Sequence, residues 1–87
     1  MMSQVAVEDI SRDLEAFVRD RFEVEADDTF FSTNLNLWEE GYVDSIGVIE
    51  LIFYLETTYT IEVPRAMLFD PGFTSVDGIA ERIARLL

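Results

Sequence analysis

The chain has no cysteine and no histidine. Without Cys there is no disulfide framework and no zinc–thiolate site. Without His, the commonest general base and the commonest metal ligand are both missing, and no Ser-His-Asp arrangement can be built. Positive charge is scarce as well: six basic residues stand against 18 acidic ones, for a formal charge of −12. Such a surface repels nucleic acid and anionic membranes and attracts basic protein patches, besides keeping the chain soluble. No apolar run reaches the ~18 residues that span a bilayer. The opening Met1-Met2-Ser3-Gln4 lacks the charged-then-apolar layout of a signal peptide, so the expected location is the cytoplasm.

What is present is enough for a core. Of 87 residues, 49% are hydrophobic and 13% aromatic, which argues against disorder and for one small domain over residues 1–87. The periodicity is helical. Val7, Ile10, Leu14, Phe17, Val18 and Phe22 recur at helical spacing with charges between them, predicting a first helix from about Val5 to Arg21. From Glu23 to Val43 the period fades. Turn formers such as Asp27-Asp28-Thr29 and Ser32-Thr33-Asn34 alternate with Phe30, Phe31, Leu35, Leu37 and Trp38, so this is a long loop pinned to the core by its side chains. Its acidic stretch Glu25-Ala26-Asp27-Asp28 lacks the spaced ladder and the Gly of a calcium loop.

A second helix is predicted from about Ser45 to Thr58. Asp44 is of the type that caps a helix start, and Ser45 then sits in the first turn, beside the positive end of the helix dipole. That is where a phosphate is best tolerated. At about 100° per residue, Val48, Leu51, Ile52, Leu55 and Tyr59 form the core stripe, while Ile46, Glu50, Phe53 and Thr57 fall opposite. An aliphatic residue, a carboxylate and an aromatic on one outward face beside a serine fit a partner-docking patch; the alternative is that the long loop covers Phe53. Ile61-Glu62-Val63 reads as an extended connector, since no second strand exists to pair with it. A short helix follows from about Pro64 to Phe69, then the turn Asp70-Pro71-Gly72. A last helix is capped by Thr74 or Ser75, with Ile79, Ile83, Leu86 and Leu87 inward and Val76 nearby.

Asp44-Ser45-Ile46 opening a helix, the Glu50-Leu51 step, the aromatic near the helix end and the exit Ile61-Glu62-Val63-Pro64 together resemble the acyl and peptidyl carrier proteins. Leu37-Trp38-Glu39-Glu40-Gly41 is similar to that family's lead-in, and the resemblance covers essentially the whole chain, most closely Leu37 to Pro64. It implies an all-α fold, a small four-helix bundle with a short third helix. It further implies that Ser45 carries 4'-phosphopantetheine through a phosphodiester, with Asp44 as the capping residue of the motif and Ile46, Glu50 and Phe53 as the partner-binding face. The arm's thiol then holds an acyl or aminoacyl group as a thioester, so the protein itself is not an enzyme. Implied partners are a phosphopantetheinyl transferase, an acyl- or aminoacyl-loading enzyme and downstream transfer or condensing enzymes, met by a monomer that binds neither nucleic acid nor membrane.

The chain departs from the fatty-acid-synthesis members at Gly47, where an acidic residue is usual, at Phe53, where Met is common, and at Thr57-Thr58, which replace acidic residues. Its Phe69-Asp70-Pro71-Gly72-Phe73-Thr74-Ser75-Val76 segment looks more like discrete carriers of specialised metabolism. The reading from another class is an acidic helical adaptor that keeps the fold without being modified.

Overall fold

The structure, a computed structural model, describes residues 6–87. Three α-helices, α1 (Val7–Arg21), α2 (Ser45–Tyr59) and α3 (Val76–Leu86), are joined by long connections, and a short 3₁₀ helix (Arg65–Phe69) precedes α3. The chain is all-α, with no strand among the described residues. The expected short third helix is corrected in kind: it is one tight 3₁₀ stretch, with Pro64 as its extended N-cap and the turn at Asp70-Pro71-Gly72 ending it after five residues, so the described chain has three α-helices rather than four. The segment from Ile61 to Val63 is extended, as expected, and the Val63 amide donates to the Glu56 carboxylate at 2.9 Å.

Local chemistry accounts for the helix ends. α1 begins with Glu8 and Asp9 and ends with Arg19 and Arg21, the order that the helix dipole favours. Its flank carries Arg19–Glu15 at 3.0 Å, one turn apart. The start expected at Val5 lies outside the described residues; Ala6 is the N-cap and offers no side-chain bond. α1 stops where Glu23 takes a left-handed φ of 56° and the Val24 amide reaches back to the Arg19 carbonyl at 3.0 Å. α2 ends in the same way at Thr60, φ 53°. α3 is capped by Ser75, whose hydroxyl accepts from the Gly78 amide at 3.0 Å.

The core is one cluster. Ile10, Leu14 and Val18 of α1 meet Leu51 and Leu55 of α2 and Val76, Ile79, Ala80 and Ile83 of α3. Phe31, Leu37 and Val43 of the long loop and Phe73 before α3 complete it, and no polar or charged residue is buried among the described ones. Each fully buried aliphatic side chain contributes ~1.5–3 kcal/mol relative to exposure. α1 and α3 form the closest-packed helix pair. α2 stands off from α1, and the intervening layer is aromatic: Phe17 stacks on Tyr54 at 4.1 Å between centroids and meets Phe22 edge-on at 6.2 Å.

The 23-residue connection 22–44 is held by backbone bonds as well as by its apolar side chains. Leu37 N–H donates to the Thr74 carbonyl and Asp77 N–H to the Thr33 carbonyl, each at 2.8 Å. The Asp77 carboxylate accepts from Thr33 Oγ1 at 3.0 Å and from Ser11 Oγ at 3.2 Å, so one side chain ties α1, the loop and the start of α3 together. Val7 and Leu87, assigned inward by periodicity, and Phe30, expected among the side chains pinning the long loop, are partly or largely outward. Val7 opens α1 and Leu87 is the C-cap of α3, so both sit at helix ends. Phe30 follows the Asp28 turn and points away, while Phe31 takes the inner position. Val43 and Phe73 are buried outside the periodic pattern, Val43 in the irregular lead-in to α2 and Phe73 in the turn before α3.

Candidate functional site

The stretch before α2 is fixed by its backbone. Gly41 adopts φ +82°, which a side chain would strain. The chain then doubles back so that the Tyr42 and Val43 amides both donate to the Leu37 carbonyl, at 3.0 and 3.1 Å, and Val43 is buried. Asp44 is extended, and its Oδ1 accepts from the Gly47 amide at 2.8 Å. This is the capping bond expected from the sequence, and it makes Ser45 the first residue of α2. Ser45 is exposed, with no acidic residue in the first turn of the helix.

A second brace lies behind this lead-in. The Tyr42 hydroxyl donates to Asp28 Oδ2 at 2.7 Å, while Asp28 Oδ1 accepts from the Phe30 and Phe31 amides at 2.9 and 3.1 Å. The Tyr42 ring meets Phe31 edge-on, and the Arg19 guanidinium sits 4.6 Å over the Phe31 ring. Bonding from Tyr42, foremost, holds the Asp28 carboxyl below the usual carboxylate range, and the same bond pushes the Tyr42 phenol up. Asp28, which the sequence marked only as part of an acidic turn, therefore braces the approach to Ser45. Among the described residues, no group of three or more His, Cys, Asp or Glu gathers where it could hold a metal ion.

α2 is apolar on nearly every side, so two of its faces need separate accounts. Gly47, Leu51 and Leu55 form the buried line, with Val48, Ile52 and Tyr59 partly buried beside it. The centre of the core face is therefore rotated towards Gly47 relative to the stripe read from the sequence. The outward face carries Ile46, 69% exposed, and Phe53, 69% exposed, so the long loop does not cover Phe53. Ile49, 68% exposed, joins them and was missed by sequence reasoning. Its signal was available: Ile49 is four residues after Ser45 and Phe53 eight, so the three share one stripe. Glu50 is not a free carboxylate. It accepts from Arg21 at the end of α1, and its side chain remains about one-third exposed (36%).

Two grooves flank the ridge made by Ile49 and Phe53. The larger, about 610 Å³, runs between α1 and α2, with Phe17 and Tyr54 in its lining, Arg21 and Glu50 at one end and Thr57 and Thr58 at the other. The smaller, about 330 Å³, lies between α2 and the 3₁₀ helix, lined by Val48, Ile52, Glu56 and Leu68 besides the ridge. Phe69, 81% exposed, ends the 3₁₀ helix. Nearby, burial foremost pushes the Tyr54 and Tyr59 phenols up, so both rings are neutral at ordinary pH. No helix among the described residues is long and apolar enough to cross a membrane.

Compared with models of known protein families, the chain matches none, and no curated protein matches it either.

Proposed function

We propose that the chain is a carrier protein whose Ser45 receives 4'-phosphopantetheine and whose arm presents an acyl or aminoacyl group, as a thioester, to partner enzymes. The observation that carries this reading is the Asp44–Gly47 cap, which sets an exposed serine at the positive end of a fifteen-residue helix. An anion attached there is stabilised by the helix dipole and the free first-turn amides. In the modification, the Ser45 Oγ–P bond forms and the P–O bond of the coenzyme A pyrophosphate breaks. Adenosine bisphosphate leaves, and the hydroxyl proton passes to the transferase or to solvent. Ser45 needs no activating base within this chain, because it is a substrate. The reactive sulfur belongs to the cofactor, which fits a sequence without Cys or His.

In this reading the three α-helices and the 3₁₀ helix play the parts of a four-helix carrier bundle, and Ile46, Ile49 and Phe53, with Glu50 at the edge, form the docking face. A transferase, a loading enzyme and transfer or condensing enzymes would meet the chain there as a monomer. The test is the intact mass after incubation with a broad-specificity phosphopantetheinyl transferase and coenzyme A. The expected result is one added arm on the wild type and none on Ser45→Ala with its fold retained. A wild type that stays unmodified would instead favour the unmodified adaptor.

A further inference from the structure

Ser45 opens α2, so its place is set on one side by the Asp44 cap and on the other by whatever holds the lead-in 41–44. The backbone of that lead-in bonds only locally. The Gly41 amide donates to the Trp38 carbonyl at 3.1 Å, and the Tyr42 and Val43 amides to the Leu37 carbonyl. These bonds shape the turn, and burial of Val43 holds it against the core, but apolar packing is non-directional and does not fix its orientation. Among the described residues, one side-chain hydrogen bond ties the lead-in to a part of the chain beyond this turn and α2. It runs from the Tyr42 hydroxyl to Asp28 Oδ2, 2.7 Å, across 14 positions of sequence.

The far end of that bond is well anchored. Asp28 Oδ1 accepts from the Phe30 and Phe31 amides, so the carboxylate is oriented by its own turn. Phe31 is buried, meets the Tyr42 ring edge-on at 5.3 Å and lies under the Arg19 guanidinium, which Glu15 holds at 3.0 Å. A line of contacts therefore leads from the last turn of α1 through Phe31 and Asp28 to the residue three before Ser45. A carboxylate suits position 28 because its two oxygens serve two tasks, one for the backbone amides and one for the phenol.

Resting on the carrier reading, we infer that Asp28 and Tyr42 are positioning residues for attachment of the arm: they hold the Ser45 hydroxyl where it attacks the pantetheine-bearing phosphorus of coenzyme A. In that step the Oγ–P bond forms and the pyrophosphate P–O bond breaks. Adenosine bisphosphate leaves, and the hydroxyl proton passes to the transferase or to solvent. In this role neither residue touches the reacting atoms. Each acts through geometry, and a misplacement of about 1 Å costs up to ~100-fold in rate. The docking face of Ile46, Ile49 and Phe53 belongs to α2 itself, so loss of the bond lowers kcat and leaves KM nearly unchanged.

The experiment follows arm transfer from coenzyme A by a broad-specificity transferase to the full chain, as wild type, Tyr42→Phe, Asp28→Ala, Asp28→Asn and Thr33→Val. Tyr42→Phe keeps the ring against Phe31 and loses only the bond; its kcat should fall about tenfold at unchanged KM, and Asp28→Ala should fall at least as far. Asp28→Asn should stay within about twofold of wild type, because its amide oxygen can accept the two backbone bonds while its amide nitrogen donates to the Tyr42 hydroxyl. Thr33→Val removes the Thr33–Asp77 bond elsewhere in the same loop. Its melt should fall while kcat per folded molecule stays at the wild-type value, which separates positioning from stability. A second readout needs no arm: exchange of the Gly47 amide, which bonds the Asp44 cap, should quicken in Tyr42→Phe relative to the Leu51 amide of the same helix. Unchanged kcat in Tyr42→Phe, a loss shared equally by Thr33→Val or by Asp28→Asn, a change confined to KM, or an unchanged Gly47 exchange ratio each overturn the positioning role. A wild type that never gains the arm overturns the carrier reading, and the positioning role falls with it.

Discussion

The ring of Phe22 lies over Gly47: a Cβ built on residue 47 would stand 2.7 Å from Phe22 Cε1 and 3.1 Å from Val43 Cγ1. Gly47 is therefore buried, although the stripe read from the sequence did not include it. Phe22, the C-cap of α1, reaches the first turn of α2 through this contact, at the residue whose amide the Asp44 cap accepts from. The glycine that costs helix propensity is what lets the Phe22 ring pack on the first turn of α2.

Gly47→Ala tests this directly. In an exposed helix the change would stabilise by about 1 kcal/mol. Here overpacking against a ring and a buried valine is expected to cost about 1–3 kcal/mol, so the net effect is destabilising. Urea unfolding should give a lower midpoint for Gly47→Ala and a still lower one for Gly47→Asp. A midpoint above the wild type for Gly47→Ala would mean that Phe22 swings aside freely and the contact is incidental.

Leu51 and Leu55 are fully buried, whereas Phe53 between them is 69% exposed. Truncating either leucine to Ala should cost about 2–5 kcal/mol, a large part of the stability of a domain this small. Phe53→Ala and Ile49→Ala should leave the melting temperature within a degree or two, about what surface changes of a few tenths of a kcal/mol produce. Equal losses for Leu51→Ala and Phe53→Ala would contradict the observed helix faces.

Acid should expose the Tyr42–Asp28 brace. The folded Asp28 carboxyl is held below its ordinary value, chiefly by the Tyr42 hydroxyl, and Asp70 likewise by Arg82 and the Gly72 amide. A depressed folded value contributes stability that is present above the unfolded pKa of about 3.9 and is lost as pH falls through the folded value. Protonation of the many other carboxylates relieves repulsion in the same range, so the wild-type curve alone is ambiguous. The comparison with Tyr42→Phe isolates the brace: this variant should lose less stability than wild type between pH 5 and pH 3, both measured by urea midpoints. Parallel curves would show that the Tyr42 bond does not favour ionised Asp28.

The helices were legible because their signals are local. Apolar spacing, the Asp44 cap and the Asp70-Pro71-Gly72 turn each act within a few residues, and α1, α2 and α3 emerged within two residues wherever the structure describes them. α2 was read less well on its faces. A helix apolar nearly all round offers weak contrast, and the burial of Gly47 depends on Phe22, 25 positions away in the chain. The Tyr42–Asp28 bond and the Asp77 hub with Ser11 and Thr33 are likewise long-range, and no periodicity encodes them. Phe73 in its turn and Val43 in the irregular lead-in to α2 became core through non-helical backbone geometry rather than spacing. At the candidate site, Asp44, Ser45, Ile46 and Phe53 lie where the sequence put them. Glu50 differs, because Arg21 arrives from α1 to pair with it.

That pairing changes what Glu50 contributes to docking and sharpens the last prediction. An exposed ion pair between flexible side chains contributes only about 0–1 kcal/mol, so Glu50→Gln should barely alter the melt. It frees the Arg21 guanidinium on a surface that is otherwise acidic, and a basic partner should then associate more slowly, the effect shrinking as salt rises. Phe53 acts differently. As an exposed ring at the centre of the proposed face, its truncation should remove about 2 kcal/mol or more of partner binding, roughly a thirtyfold loss in loading efficiency that salt does not restore. The measurement is loading of the arm-bearing chain by a cognate enzyme at low and high salt for wild type, Glu50→Gln and Phe53→Ala. A salt-sensitive deficit for the first variant and a salt-insensitive one for the second is the expected pattern. Normal loading of Phe53→Ala, with its melt unchanged, would move the docking surface off the outward face of α2.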